Sequence, residues 1–226
     1  MRNELKELAK PRTIFVTGTD TEVGKTFVSA LLAKSYRHSD VDVGVYKPVA
    51  SGCQTRNGNL VSDDAVSLWN AAGCPKTLQD VCPQRFTAPL APNRAAAAEG
   101  KCVDLQQLTA GIKPWLDSEL LIIEGAGGLL SPIADGVLNA DLIHLLSKDL
   151  PVEIILVAAN RLGTIHQTLA TVAAAKQTGI QISTIYLNQV NATADDSAKT
   201  NADELRRYCQ IPFQQVSFCQ KELPRL

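Results

Sequence analysis

Between Gly18 and Thr26 the chain reads Gly18-Thr-Asp-Thr-Glu-Val-Gly24-Lys25-Thr26, a run whose residue types suit the handling of phosphate. Glycines let the backbone approach an anion closely, and a helix opening at such a turn offers unpaired N–H groups and the positive end of its dipole. A lysine placed as Lys25 is reaches β- and γ-phosphates, and a hydroxyl placed as that of Thr26 coordinates Mg²⁺. The usual phosphate-loop pattern has four residues between its glycines. Here five separate Gly18 from Gly24, so Thr19 stands where the first glycine is expected. The surrounding order of strand, turn, Gly-Lys-Thr and helix is kept. The bland alternative is a plain strand-to-helix turn.

Two further groups fall at the ends of apolar runs. Glu124-Gly-Ala-Gly-Gly128 follows residues 120–123, and a carboxylate at the carboxyl end of a buried parallel strand lies on the ligand-bearing edge of a sheet, where it holds Mg²⁺ directly or through water. Tyr46-Lys47-Pro-Val-Ala-Ser51-Gly52 leaves another apolar run and brings a second cation toward the same edge. Taken alone, Lys47 reads more readily as a solvated surface lysine, the commonest fate of that residue. Asp63 and Asp64 open the next helical segment, where N-terminal capping by Ser62 or an aspartate competes with a metal role for Asp64.

These groups need a frame that gathers strand ends on one edge. Short β-rich runs at residues 13–16, 41–46, 120–123, 152–158 and 180–187 are mostly hydrophobic without alternation, as strands covered on both faces are. Segments with helical spacing lie between or after them, at 25–38, 64–72, 105–116, 140–147, 165–177 and 194–208. The alternation predicts an α/β fold, a doubly wound and mainly parallel sheet with helices on both faces. No repeat or compositionally distinct linker divides the 226 residues, so residues 1–226 are read as one domain. Residues 83–92 hold three prolines and are expected to form a long functional loop, with a helix starting near residues 95–98.

Composition narrows the function classes. Lys and Arg number 22 against 23 Asp and Glu, a net charge of −1 that offers polyanions no attraction and argues against a nucleic-acid or membrane-surface binder. The longest strongly apolar run, residues 154–159, is far short of the roughly 20 residues that cross a bilayer, and residues 1–10 alternate charges with leucine instead of building a signal core. A cytoplasmic location is expected. Six cysteines without a C-x-x-C pair and three scattered histidines do not have the spacing of a zinc site.

Together the motifs resemble those of the dethiobiotin synthetase family, ATP-dependent ligases of biotin biosynthesis. The five-residue spacer of Gly18 to Thr26, the run Tyr46 to Gly52, the Asp64-Ala pair and Glu124 to Gly128 occur in that family's order and spacing, over residues 13–188. The resemblance implies closure of a ureido ring from 7,8-diaminononanoate, CO₂ and MgATP through a phosphorylated carbamate. It implies Lys25 and Lys47 as catalytic cations, with Lys47 facing the carbamate. It assigns ATP contacts to Glu22, Val23, Gly24, Lys25, Thr26, Phe27, Asp64, Glu124, Gly125, Ala126 and Gly127, with Asn188 reading adenine. Substrate contacts fall to Ser51, Lys47, Gly163 and Thr164, and Mg²⁺ to Thr26, Asp64 and Glu124. A homodimer is implied, in keeping with the apolar segment 165–175.

The chain also departs from the family's pattern. Leu162-Gly-Thr-Ile-His166-Gln167 stands where the family has Asn-His, Pro92 is followed by Asn93 instead of histidine, and no Gly-x-x-Pro base loop follows Ile211. The rival class is a nucleotide-dependent switch or a regulatory phosphate-loop domain without ligase activity. Switches of this type carry a second lysine early in the loop, where this chain has Asp20.

Overall fold

The structure, a computed structural model, describes residues 10–193 and 195–223. Six parallel strands form the central sheet: β1 (Arg12–Gly18), β2 (Val43–Tyr46), β3 (Leu120–Gly128), β4 (Val152–Ala159), β5 (Ile182–Asn188) and β6 (Phe213–Val216). Their spatial order is β6-β5-β4-β1-β3-β2. Sequence neighbours β1 and β2 are separated in space by β3, so the chain crosses over the sheet through helix α1 (Lys25–Arg37). In β1 every residue after Arg12 is buried, and β4 is buried from Ile154 onward. Such runs without alternation exist because both faces are covered.

Among the described residues, six other helices of at least six residues complete the frame: α2 (Asp63–Ala71), α3 (Pro92–Ala98), α4 (Leu105–Ala110), α5 (Asn139–Ser147), α6 (Thr164–Gln177) and α7 (Asn201–Arg206). The buried apolar side chains join into one core cluster that runs through the sheet and under the helices. No helix among the described residues is long and apolar enough to cross a membrane. The leader-free reading of residues 1–9 and the expected helix start at residue 194 lie outside the described residues.

Three sequence expectations are corrected. The helix expected over 105–116 stops at Ala110 and gives way to a short 3₁₀ turn at Lys113–Trp115, because Gly111 and then Pro114 interrupt the α-helical hydrogen bonding. The helix expected over 194–208 is a 3₁₀ turn at Asp196–Lys199 followed by α7. Strand β6 was not expected, since its polar Gln214 and Gln215 break the apolar run; as the sheet's edge strand it needs less burial. The proline-rich stretch forms a brief strand pairing at Gln84–Arg85 and then a loop, and α3 begins at Pro92, where a missing N–H costs nothing.

Candidate active site

The loop after β1 turns through two left-handed residues, Glu22 at φ 56° and Gly24 at φ 87°, and α1 starts at once. Gly24 is required there for a second reason. A Cβ on it would lie 2.0 Å from the Nδ2 of Asn188, the last residue of β5. That Nδ2 donates to the Val23 carbonyl at 3.0 Å, which fastens the phosphate loop to a strand of the sheet. The Oδ1 of Asn188 is buried and without a hydrogen-bond partner among the described residues. Lys25 curls under its own loop and donates to the Asp20 carbonyl at 2.9 Å. Burial lowers its pKa to about 8, the nearby Glu124 carboxylate opposing that shift and the Lys47 ammonium adding to it.

Glu124 is the centre of the charged network. It is 1% exposed, and its Oε1 accepts from Lys47 Nζ at 2.5 Å and from the Thr26 hydroxyl at 2.8 Å. Lys47, itself 4% exposed, also pairs with Asp64 Oδ2 at 3.0 Å. Desolvation alone would drive the Lys47 proton off, but the two carboxylates outweigh it and hold the pKa above the ordinary lysine value. The same ammonium keeps Asp64 below the usual carboxylate range. The two aspartates at the start of α2 have different fates. Ser62 caps the helix by accepting from Ala65 N, Asp63 pairs with Arg56 at the surface, and Asp64 is free to face Lys47.

Glu124 does not follow its strand as expected; it lies within it. Strand β3 runs on to Gly128, and pairing with β1 passes from Val16 opposite Glu124 to Gly18 opposite Gly128. Residues 125–127 therefore arch out of the ladder, with Gly127 at φ 74°. Ala126 and Gly127 line a cavity of about 770 Å³. Its floor is the phosphate loop with Lys25, Thr26 and Phe27, its charged wall is Lys47, Asp64 and Glu124, and Ser51 stands beside them. The opposite wall is the proline loop, Pro89 to Pro92. Backbone hydrogen bonds from Gly52 N to Ala88 O and from Cys53 N to Phe86 O tie that loop to the Ser51 segment.

The sequence-predicted residues thus separate into two groups. Glu22, Gly24, Lys25, Thr26, Phe27, Lys47, Ser51, Asp64, Glu124, Ala126 and Gly127 share one cavity. Val23 and Gly125 support it without lining it: the Val23 side chain is in the core, and Gly125 lies against Asn139. Asn188 holds the loop from behind. Gly163 and Thr164, at the start of α6 beyond β4, do not line the cavity, and the Thr164 side chain is fully buried. Within a single chain the two residues lie outside this cavity. Sequence reading missed Ser131 and Pro132, which line the cavity from the segment after the arch. Neither belongs to a recognisable motif.

No cluster of three or more His, Cys, Asp or Glu able to hold a metal occurs among the described residues. The oxygens present are instead one hydroxyl and two carboxylates beside a phosphate loop, including the buried Oε2 of Glu124, which has no hydrogen-bond partner among the described residues. That set suits Mg²⁺, which takes one or two carboxylates and completes its shell with water and phosphate.

A family profile described as an AAA domain matches residues 12–217. The chain is 48% identical over 207 residues to the ATP-dependent dethiobiotin synthetase of Rhodopirellula baltica, covering 88% of this chain and 81% of the relative. It is 40% identical to the synthetase of that name from Bacillus licheniformis, over 88% of this chain and 82% of the relative. The chain belongs to the ATP-dependent dethiobiotin synthetase family. A third synthetase of that family, from Bacillus subtilis strain 168, is 36% identical over 206 residues, with 89% and 85% coverage. Two solved structures of the signal recognition particle receptor FtsY share the fold. The Elizabethkingia anophelis protein with GDP gives a TM-score of 0.52 at 17% identity, covering 94% of this chain and 58% of that one. The Thermotoga maritima protein gives 0.51 at 17%, covering 94% and 63%. This synthetase-family chain spans about three fifths of those receptors, and at that identity the likeness is one of fold.

Proposed function

We propose that the chain closes the ureido ring of dethiobiotin from 7,8-diaminononanoate, CO₂ and ATP, releasing ADP and phosphate. One substrate amine takes up CO₂ and loses a proton to become a carbamate. A carbamate oxygen attacks the γ-phosphorus as ADP leaves, and the second amine then attacks the carbonyl carbon, expelling phosphate with that oxygen. The observation that carries the reading is the Lys47 ammonium, buried between Glu124 and Asp64 on the wall of a cavity floored by the phosphate loop. Bringing an anionic carbamate to an anionic phosphate requires fixed positive charge in a site shielded from water.

In this reading Lys25 and the N–H groups of residues 22–27 hold the phosphates. Lys47 neutralises the carbamate and Ser51 hydrogen-bonds it. Thr26, Asp64 and Glu124 hold Mg²⁺, which when bound offsets phosphate charge. The Oδ1 of Asn188, without a hydrogen-bond partner among the described residues, is left to accept from the adenine amino group. Pro89, Leu90 and Ala91 supply an apolar wall for the aliphatic chain of the substrate. Holding both amines in one pocket favours closure of a five-membered ring over escape.

We further propose a cytoplasmic homodimer of single-domain subunits. Leu162 is 81% exposed beside Gly163, and Ile165, Leu169 and Val172 of α6 are only partly buried. That apolar strip supports a second copy bringing the exposed Gly163 to the partner's substrate. The single core cluster supports one domain. The test of the reaction is isotopic. With ¹⁸O-bicarbonate, used quickly enough to limit exchange, released phosphate should carry label and dethiobiotin should form with it. Unlabelled phosphate from a labelled CO₂ pool would rule out the phosphorylated carbamate.

A further inference from the structure

Strand β3 loses both neighbours beyond Glu124. Pairing with β2 ends at Tyr46 opposite Ile123, and pairing with β1 skips from Glu124 to Gly128. The arch between, which carries Ala126 and Gly127 into the cavity, has no strand paired with it among the described residues. Its place is taken by one side chain, Asn139, the first residue of α5. The Oδ1 of Asn139 accepts from Ala126 N at 3.2 Å, and its Nδ2 donates to Ala126 O at 2.6 Å and to Gly128 O at 2.8 Å. A carboxamide has the donor and acceptor of a peptide unit, so it pairs with Ala126 as a neighbouring strand would. Asn139 is fully buried, and its own N–H donates to Ser131 O at 3.1 Å, which anchors it to the segment carrying Ser131 and Pro132.

We infer that Asn139 is a positioning residue for the phosphoryl-transfer step, holding the arch so that Glu124 and the Ala126–Gly127 backbone keep one geometry against the cavity. It touches no substrate itself; it does not line the cavity. The contact is tight enough to transmit displacement, since a Cβ on Gly125 would fall 2.6 Å from Asn139 Oδ1. Displacements near 1 Å at a reacting centre cost up to about a hundredfold in rate. The inference rests on the proposed reaction, and the test separates the two.

In N139A, kcat for ring closure should fall about tenfold or more while the KM for ATP and the affinity for ADP stay within about twofold, because the phosphate loop is fastened separately through Asn188. N139D keeps the acceptor for Ala126 N but turns the donor into a carboxylate facing two carbonyl oxygens. Only its protonated form donates, so the ratio of N139D to wild-type kcat should rise as pH falls, while the N139A ratio stays flat. That pH signature is one a purely structural role does not give. Wild-type kcat in folded N139A, a loss that tracks only the unfolded fraction, or a flat N139D ratio would overturn the inference, as would failure of both variants to fold. A wild-type enzyme that forms no dethiobiotin would instead overturn the reaction.

Discussion

The phosphate-loop centre and the start of α6 are both built at the carboxyl edge of the sheet, yet they are finished to different degrees. Around Glu124 the charges are matched at short range: the Lys47 ammonium lies between two carboxylates, and Thr26 donates to one of them. At Gly163 the chain again presents a left-handed glycine and a helix start, but the neighbouring Leu162 projects into solvent and the cavity is elsewhere. On the proposed reading, charge neutralisation is assembled within one chain, whereas recognition of the far end of the substrate waits on a second surface.

The comparison is broken most sharply at the centre. Lys25→Ala and Lys47→Gln should each leave a folded protein with turnover lowered by about two to three orders of magnitude, the scale of losing one preorganised charge. Near-normal rates in either folded variant would show that the network is structural. Lys47→Gln should spare ADP binding, measured by calorimetry, because Lys25 and the loop backbone remain. At the other region, Leu162→Glu alters only an exposed side chain. Sedimentation should show it shifting toward monomer, with the KM for diaminononanoate raised about tenfold and ADP binding unchanged. A fully active wild-type monomer would remove the second surface from the account.

A smaller effect sharpens the electrostatics. Because burial lowers the Lys25 pKa to about 8, the free protein loses that proton as pH rises through this value. Bound phosphates favour the ammonium and raise the pKa again. Nucleotide binding should then take up about three quarters of a proton at about pH 8.5 and almost none at about pH 6.5, measured by calorimetry in buffers of different ionisation enthalpy. Uptake independent of pH would place the proton elsewhere. The smallest change is expected from His166→Asn, which restores the family's residue type on the exposed side of α6 and should alter substrate affinity by no more than about twofold. A large loss would give His166 a role of its own.

The legibility of these two regions in the sequence differs for physical reasons. The phosphate loop, Lys47 and Glu124 are legible because each sits at the end of an apolar run in a recognisable pattern, and Asp64 because it opens the next helical segment. The parallel sheet is legible because strands buried on both faces leave unbroken hydrophobic stretches. Strand β6 was hidden because an edge strand tolerates Gln214 and Gln215. The helix over 105–116 was overextended because its apolar periodicity continues past Gly111 and Pro114, which the backbone cannot follow. Asn139 gave no signal at all. A polar residue at a helix start reads as a cap, and only the missing strand pairing on both sides of the arch reveals what it holds.

The fastening of Val23 to Asn188 has a consequence for the kinetics of nucleotide capture. A glycine-containing loop left to itself samples many conformations, and closing it around a ligand would forfeit that conformational entropy at the moment of binding. Here the loop is held in its cradle shape before any ligand arrives, through the Asn188 amide and a left-handed Gly24 that leaves room for it. Encounter should therefore lead to capture without a slow ordering phase, and stopped-flow traces of nucleotide binding should be single exponentials whose rate rises linearly with concentration.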